Sequence, residues 1–276
     1  MSENVELPLS SGVLHGLRYG ASGAPVICVP GLSANARSFA AIAEALARDG
    51  HQVVALDLRG RGLSPAGALG SHGWHRHAED VLEAARKLGF DSFDLVGHSM
   101  GAFVAMQAAS LQGKAIRRLV LIDAAGVPER EVIPPILAAL ERLETVYGSR
   151  EEYLAKIESR GAAVPWDDLW RQHYLYELED VPGGVRPRTS KGAVVEDAVY
   201  GSQHDAKEFW ASLRMPTLLL RAARRLLGTG FVLGTALRDA FLAAVPSARA
   251  VEVDANHYGV MAHPDALRAI VGFLTG

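Results

Sequence analysis

Cysteine is nearly absent: Cys28 stands alone among 276 residues, so no internal disulfide can form and packing must hold the chain together. Its place inside the apolar run PVICVPG reads as a small buried hydrophobe rather than a reactive thiol. An excess of one charge sign is also missing. Lysine plus arginine number 28 and aspartate plus glutamate 31, for a formal net charge of −3, which leaves no basic footprint for a nucleic acid or an anionic membrane. No uncharged apolar run approaches the ~18 residues that a bilayer span requires. The amino-terminal MSENVELPLS carries glutamates and lacks the basic segment and apolar core of a signal peptide, so a cytoplasmic location is expected. Repeats and low-complexity tracts are not found. These exclusions leave a globular chain, 49% hydrophobic, with a small molecule as its expected partner.

What is present is an alternation of short apolar runs with longer helical patterns. PVICV, QVVAL, FDLVG, RLVLID, TLLLR and AVEVD read as strands, several apolar throughout, as in a parallel sheet covered on both faces. Between them, ARSFAAIAEALARDG, HAEDVLEAARKLG, MGAFVAMQAASLQG and ALRDAFLAAVP read as helices. VELPL and VLHGLRYG predict an antiparallel hairpin at the sheet's edge. The alternation stops between Asp123 and Met215, an interval of about ninety residues and too long for a simple crossover. Its segments IPPILAALERLETVYG, REEYLAKIESRG and PWDDLWRQHYLYELED look helical, with no strand pattern among them. A doubly wound α/β core over 1–123 and 214–276, interrupted by a helical cap over 124–213, is the expected architecture. Three of the four tryptophans fall in the cap, as core packing or as the wall of a binding pocket.

GHSMG, between the strand FDLVG and the helix MGAFVAM, matches G-x-S-x-G. A parallel strand that turns at once into a helix leaves its last residue at the strand's carboxyl end, where open α/β sheets bind ligands. Gly97 and Gly101 permit the tight turn, and Ser99 would present its hydroxyl there. The N–H of Met100, at a helix amino terminus, is free to bind a negative oxygen. A serine hydroxyl needs a base, most often a histidine. His257, between the last candidate strand and the final helix, is placed to serve. His98 lies inside the turn and His51 precedes a strand. His72, His75 and His77 in SHGWHRH lack partners at a metal-binding spacing, so they read as a solvated helix start, and no metal is expected.

VPGLSANARSF, LDLRGRGLS, GHSMG and DANHYGVMAHP occur in the order in which members of the α/β-hydrolase fold superfamily carry an oxyanion loop, an arginine-glycine turn, a nucleophile elbow and a histidine loop. The chain resembles that superfamily over nearly its whole length, and the resemblance implies a mostly parallel doubly wound sheet with a helical lid. It also implies Leu32 as the second backbone oxyanion donor; Pro30 stands where most relatives have histidine. Most relatives place the triad acid after the strand matched here by PTLLLRA, but RAARRLLGTGFVLG has no carboxylate. Asp239 lies well inside the next helix. Asp123 ends the strand after the elbow helix, where a small group resembling (E)-2-(acetamidomethylene)succinate hydrolase keeps its acid. Asp254 is the alternative, and Asp57 reads as holding its own turn.

Ser99, His257 and Asp123, with the Leu32 and Met100 amides, are thus the expected machinery for acyl transfer without a cofactor. Hydrolysis of a small carboxylic ester is the leading expectation. Amide or enamide cleavage, lactone opening, carbon–carbon cleavage beside a ketone and perhydrolysis use the same groups, and a non-catalytic receptor on this fold is the rival from another class. Serine at the elbow sets aside the epoxide hydrolases and dehalogenases of the fold, which need aspartate there. GTGFVLG contains G-x-G, but its third glycine is misplaced for a dinucleotide. Arg37, Arg186 and Arg188 are candidates for binding a substrate carboxylate through bidentate geometry, and Trp166 and Tyr174 for lining the pocket.

Overall fold

A computed structural model describes residues 2–276. Its main sheet contains β1 (Glu3–Leu9), β2 (Gly12–Tyr19), β3 (Ala24–Val29), β4 (His51–Asp57), β5 (Phe93–His98), β6 (Ile116–Ile122), β9 (Thr217–Ala222) and β10 (Ala248–Val253). The spatial order is β1-β2-β4-β3-β5-β6-β9-β10. The hairpin β1–β2 pairs antiparallel with β4 at one edge, and the pairings from β4 to β10 are parallel. Each strand read from its apolar run is found.

Side-chain alternation sends each strand's residues into two cores, one per face of the sheet. Ile27, Leu95, Leu121 and Leu219 enter one, beneath α2 (Trp74–Lys87), α3 (Met100–Gln112) and α8 (Thr235–Ala244). Cys28, Val96, Val120 and Leu218 enter the other, beneath α1 (Ala40–Arg48) and α9 (Pro264–Thr275). Helices on both faces account for the uninterrupted apolar runs.

The segment between β6 and β9 carries α4 (Ile133–Ala139), α5 (Arg150–Glu158), α6 (Asp168–Tyr176), β7 (Leu178–Val181), β8 (Gly184–Pro187) and α7 (Lys191–Gln203). Ser149, Asp167 and Ser190 cap α5, α6 and α7, each accepting a first-turn backbone N–H. The antiparallel pair β7–β8 departs from the expectation of helices alone. Its strands, LEDV and GVRP, have four residues each and no clean alternation, too little for a strand signal. Register is set instead by the loop at Pro182 and Gly183 and by Gly184, at φ 143°, where a Cβ would lie 1.9 Å from the Tyr147 carbonyl oxygen. That contact continues as a bridge between Tyr147 and Val185.

Strand β5 turns into α3 by close backbone approach. A Cβ on Gly97 would lie 2.2 Å from the Gly101 carbonyl oxygen, and one on Gly101 would lie 2.0 Å from that of Val29. Because both obstacles are backbone, neither can swing aside. Gly101→Ala is therefore expected to lose at least ~1–3 kcal/mol of stability, whereas Gly272→Ala, on an open helix face with nothing within 4 Å, should gain ~0.5–1 kcal/mol. Thermal unfolding of the two variants checks both signs.

Candidate active site

The elbow leaves Ser99 at φ 55°, ψ −124°, immediately before α3. A non-glycine residue holds such a conformation only when its surroundings over-determine it. Here the Ser99 N–H extends the β5–β6 ladder by donating to the Ile122 carbonyl at 3.1 Å. Ser99 itself remains partly exposed. Gly31 faces it across the oxyanion loop, where a Cβ would come within 3.1 Å of Ser99 Cβ and 3.5 Å of Oγ. Glycine at 31 thus brings the Leu32 amide's loop against the serine.

Asp123 repeats the device one strand further on. It has φ 53°, and its N–H extends the β6–β9 ladder by donating to Leu220 at 2.8 Å. The carboxylate is buried, with Oδ1 accepting the Ala222 N–H at 2.9 Å and Oδ2 lying 2.8 Å from His257 Nδ1. Burial raises this carboxyl above the usual range, opposed by the hydrogen bond and charge of His257. A hydrogen on Nδ1 directed to the carboxylate leaves the Nε2 lone pair open, the tautomer a general base requires. Asp254, by contrast, is exposed and held bidentately by Arg224 at 2.7 and 2.6 Å.

His98, beside Ser99 in the chain, does not point into solvent. Its Nε2 donates to the His257 carbonyl at 3.0 Å, and the two rings pack with centroids 4.5 Å apart. Burial first, then the proximity of His257, pushes His98 well below the ordinary imidazole range, so it serves as a neutral strut between elbow and histidine loop. Asn256 supplies a second strut. Its Oδ1 accepts the N–H groups of Tyr258 and Gly259, and its Nδ2 donates to the Ala162 carbonyl in the cap. An asparagine just before a helical turn is a legible cap; its reach to residue 162 is not.

A cavity of about 60 Å³ adjoins His98 between core and cap. Its wall includes Ser33, Arg142, Arg160, Trp170, His173 and Tyr174. Tyr174 is in this wall, while Trp166 packs behind it at 5.8 Å between ring centroids. The three expected arginines are not in this wall. Arg37 lies over the Tyr176 ring, 5.8 Å from its centroid, while Arg186 in β8 and Arg188 just past it lie beside Glu179, their side chains partly exposed. Arg142 and Arg160 stand there instead. The Arg142 guanidinium is buried against Glu177 at 3.1 Å, and Glu177 also accepts from Tyr153 and Thr189. Arg160 is less buried, and its guanidinium makes a long hydrogen bond of 3.5 Å to the Ala139 carbonyl. In the sequence both arginines sit in charged helical stretches indistinguishable from solvated faces, and only the packing of the cap turns them inward. Burial, followed by the Arg142 charge, pushes His173 down to about 3, so that ring is neutral.

Two further readings are tested by these contacts. Asp57 does hold its turn, accepting from the Ala36 and Leu63 amides and from Tyr176, with burial pushing its carboxyl up to about 6. The histidines of SHGWHRH are not a solvated helix start. Only His75 keeps much of its side chain in solvent, at 44%; His77 is fully buried against Asp197 of α7, and His72 bonds to Glu196 of the same helix. The docking of α7 over this turn, invisible locally, explains the difference.

The model of the alpha/beta hydrolase fold family matches residues 24–264. Among curated proteins, the chain is 26% identical to the 2-(acetamidomethylene)succinate hydrolase of Mesorhizobium japonicum over 262 residues, 94% of this chain and 90% of the relative. It is 43% identical to the N-formylmaleamate deformylase of Pseudomonas putida over 111 residues, a stretch covering only 40% of either protein. A solved structure of E-2-(acetamidomethylene)succinate hydrolase superposes over the full length of both chains with a TM-score of 0.90 at 24% identity. With that match over residues 24–264, and with Ser99, the Gly31–Leu32 loop and His257 gathered at the carboxyl ends of a sheet in this strand order, the chain belongs to the alpha/beta hydrolase fold family.

Proposed function

We propose that the protein is a serine hydrolase that cleaves an amide-type bond in a small substrate bearing a carboxylate. The observation that carries this reading is the 2.8 Å contact between Asp123 and His257, on a loop pinned to the Ser99 elbow through His98. Ser99 Oγ attacks the carbonyl carbon as its proton passes to His257 Nε2. The oxyanion of the tetrahedral intermediate accepts from the Leu32 and Met100 amides, and Asp123 balances the imidazolium. As the carbon–nitrogen bond breaks, His257 returns the proton to the leaving nitrogen. Water, deprotonated by the same imidazole, then releases the acid and restores the serine.

Support for the bond type comes from relatives named as a deformylase and an acetamidomethylene hydrolase, which favour a nitrogen leaving group over the ester expected from sequence. Support for the carboxylate comes from Arg142 and Arg160 in the cavity wall. Arg142 is already balanced by Glu177, whereas Arg160 has no salt-bridge partner within 4.0 Å among the described residues, so it supplies the uncompensated positive charge. Ester hydrolysis remains the second reading, since the same groups cleave activated esters.

Ser99→Ala is expected to abolish release of chromophore from a p-nitrophenyl ester and turnover of N-acyl enamine acids alike. Asp123→Asn should lower kcat by ~10⁴, while Asp254→Asn stays near wild type; the reverse order in steady-state assays would move the acid to residue 254. Arg160→Ala should raise KM by ~10–100-fold for carboxylate-bearing substrates, the worth of a charged hydrogen bond, and leave neutral esters unchanged. Equal losses on both substrate types would remove Arg160 from substrate recognition.

A further inference from the structure

Arg61 is the largest side chain buried completely in the protein. A lone guanidinium in such a place would be strongly disfavoured, and its partners explain why it is tolerated. Nε and Nη2 both donate to the Leu32 carbonyl, at 3.0 and 2.8 Å; Nη1 donates to the Arg59 carbonyl at 2.7 Å; and Nη2 meets Asp197 Oδ2 at 2.5 Å. Asp197 belongs to α7 of the cap, not to the core. Its other oxygen accepts the Gly73 N–H at 2.6 Å, and His77 Nε2 lies within 2.9 Å. Burial would raise the Asp197 carboxyl, but the hydrogen bond and charge of His77 and the charge of Arg61 hold it well below the usual range. It is therefore ionised, and a charged pair of zero exposure joins the cap helix to the oxyanion loop.

Other contacts run the same way. The Ser190 N–H, at the start of α7, donates to the Gly60 carbonyl at 2.8 Å, one residue before Arg61. The Leu32 side chain packs against Leu140, Leu143 and Val194, all from the cap. Leu32 is thus held at its carbonyl by Arg61, which pairs with α7, and at its side chain by Val194 of α7 together with Leu140 and Leu143. Fixing the carbonyl holds the peptide plane that follows Leu32 and so restricts the backbone of the residue whose N–H the proposed mechanism uses.

We infer that Arg61 is a positioning residue that aligns the Leu32 amide for the oxyanion, and that Asp197 makes this alignment conditional on the docking of α7. The inference rests on the serine-hydrolase reading, in which the Leu32 N–H is an oxyanion donor. A tetrahedral intermediate requires the donor within a few tenths of an ångström of its place, while a ground-state carbonyl is less demanding, so the clamp acts on turnover more than on binding.

The test uses the full chain with Arg61→Lys, Asp197→Asn and the double variant, read by p-nitrophenyl acetate turnover, affinity for a boronic acid that forms a tetrahedral adduct, and thermal unfolding. Arg61→Lys keeps the charge but loses the two-pronged grip on Leu32, and should lower kcat by ~10–100-fold, less than the 10²–10³ that follows loss of a donor. KM should stay within about twofold and boronate affinity should fall by the same factor as kcat. Asp197→Asn should lower kcat on its own but add nothing in the Arg61→Lys background, since it acts through Arg61. Unchanged kcat and boronate affinity, loss confined to KM or melting temperature, or additive losses would each overturn the inference. Should Arg61→Lys fail to fold, Asp197→Asn decides alone: an intact protein with wild-type kcat and boronate affinity sinks the clamp. Activity persisting in Ser99→Ala would instead sink the hydrolase reading, whereas a dead Ser99→Ala beside silent clamp variants leaves that reading standing.

Discussion

The site depends on how closely backbone passes backbone where β5 becomes α3. The helix can start at once, with Ser99 at its tip, only because Gly97 and Gly101 let the carbonyl oxygens of Gly101 and Val29 occupy space that side chains would claim. That contact locks the elbow against β3 and therefore against the loop leaving β3, which carries Gly31 and Leu32. Relaxing it by one methyl group separates the serine from its neighbours in the sheet.

From there the ladders of the parallel sheet carry the geometry sideways. Ser99 and Asp123 are each one residue beyond a strand, both at positive φ, and each still donates its N–H to the next strand. The strain of two unusual backbone conformations is offset by the ladder bonds that continue through them. His257 arrives from beyond β10 and is fixed by a carboxylate at one ring nitrogen and by His98 at its carbonyl. The end of β9 offers the Ala222 N–H as a donor to Asp123 Oδ1, which leaves Oδ2 turned toward the imidazole.

The cap is joined to the core by apolar packing and by buried polar groups. Tyr176 donates to Asp57, Asp197 pairs with Arg61 and His77, and Asn256 donates to Ala162. Within the cap, Glu177 pairs with Arg142. A purely apolar contact would let the cap slide; paired charges of zero exposure are costly to separate and specify one seat. The cavity beneath inherits this specificity, with a compensated arginine and a more exposed one set among neutral rings.

What the sequence determined by itself was local. Uninterrupted apolar runs required strands covered on both faces, glycines two residues either side of a serine required a tight turn, and a histidine between the last strand and helix had one place to go. The expectation of Asp123 followed from resemblance and from the lack of a carboxylate after β9, and the fold brings it to hydrogen-bonding distance of His257. Tertiary structure alone decided which charged residues of the cap face inward. Arg142 and Arg160 look like solvated helix positions, Arg186 and Arg188 look like ligand-binding ones, and His77 looks exposed, because a charge in the sequence carries no record of the partner that makes burying it tolerable. Those partners, Glu177 and Asp197, lie 35 and 120 residues from Arg142 and His77, and only long-range packing chooses them.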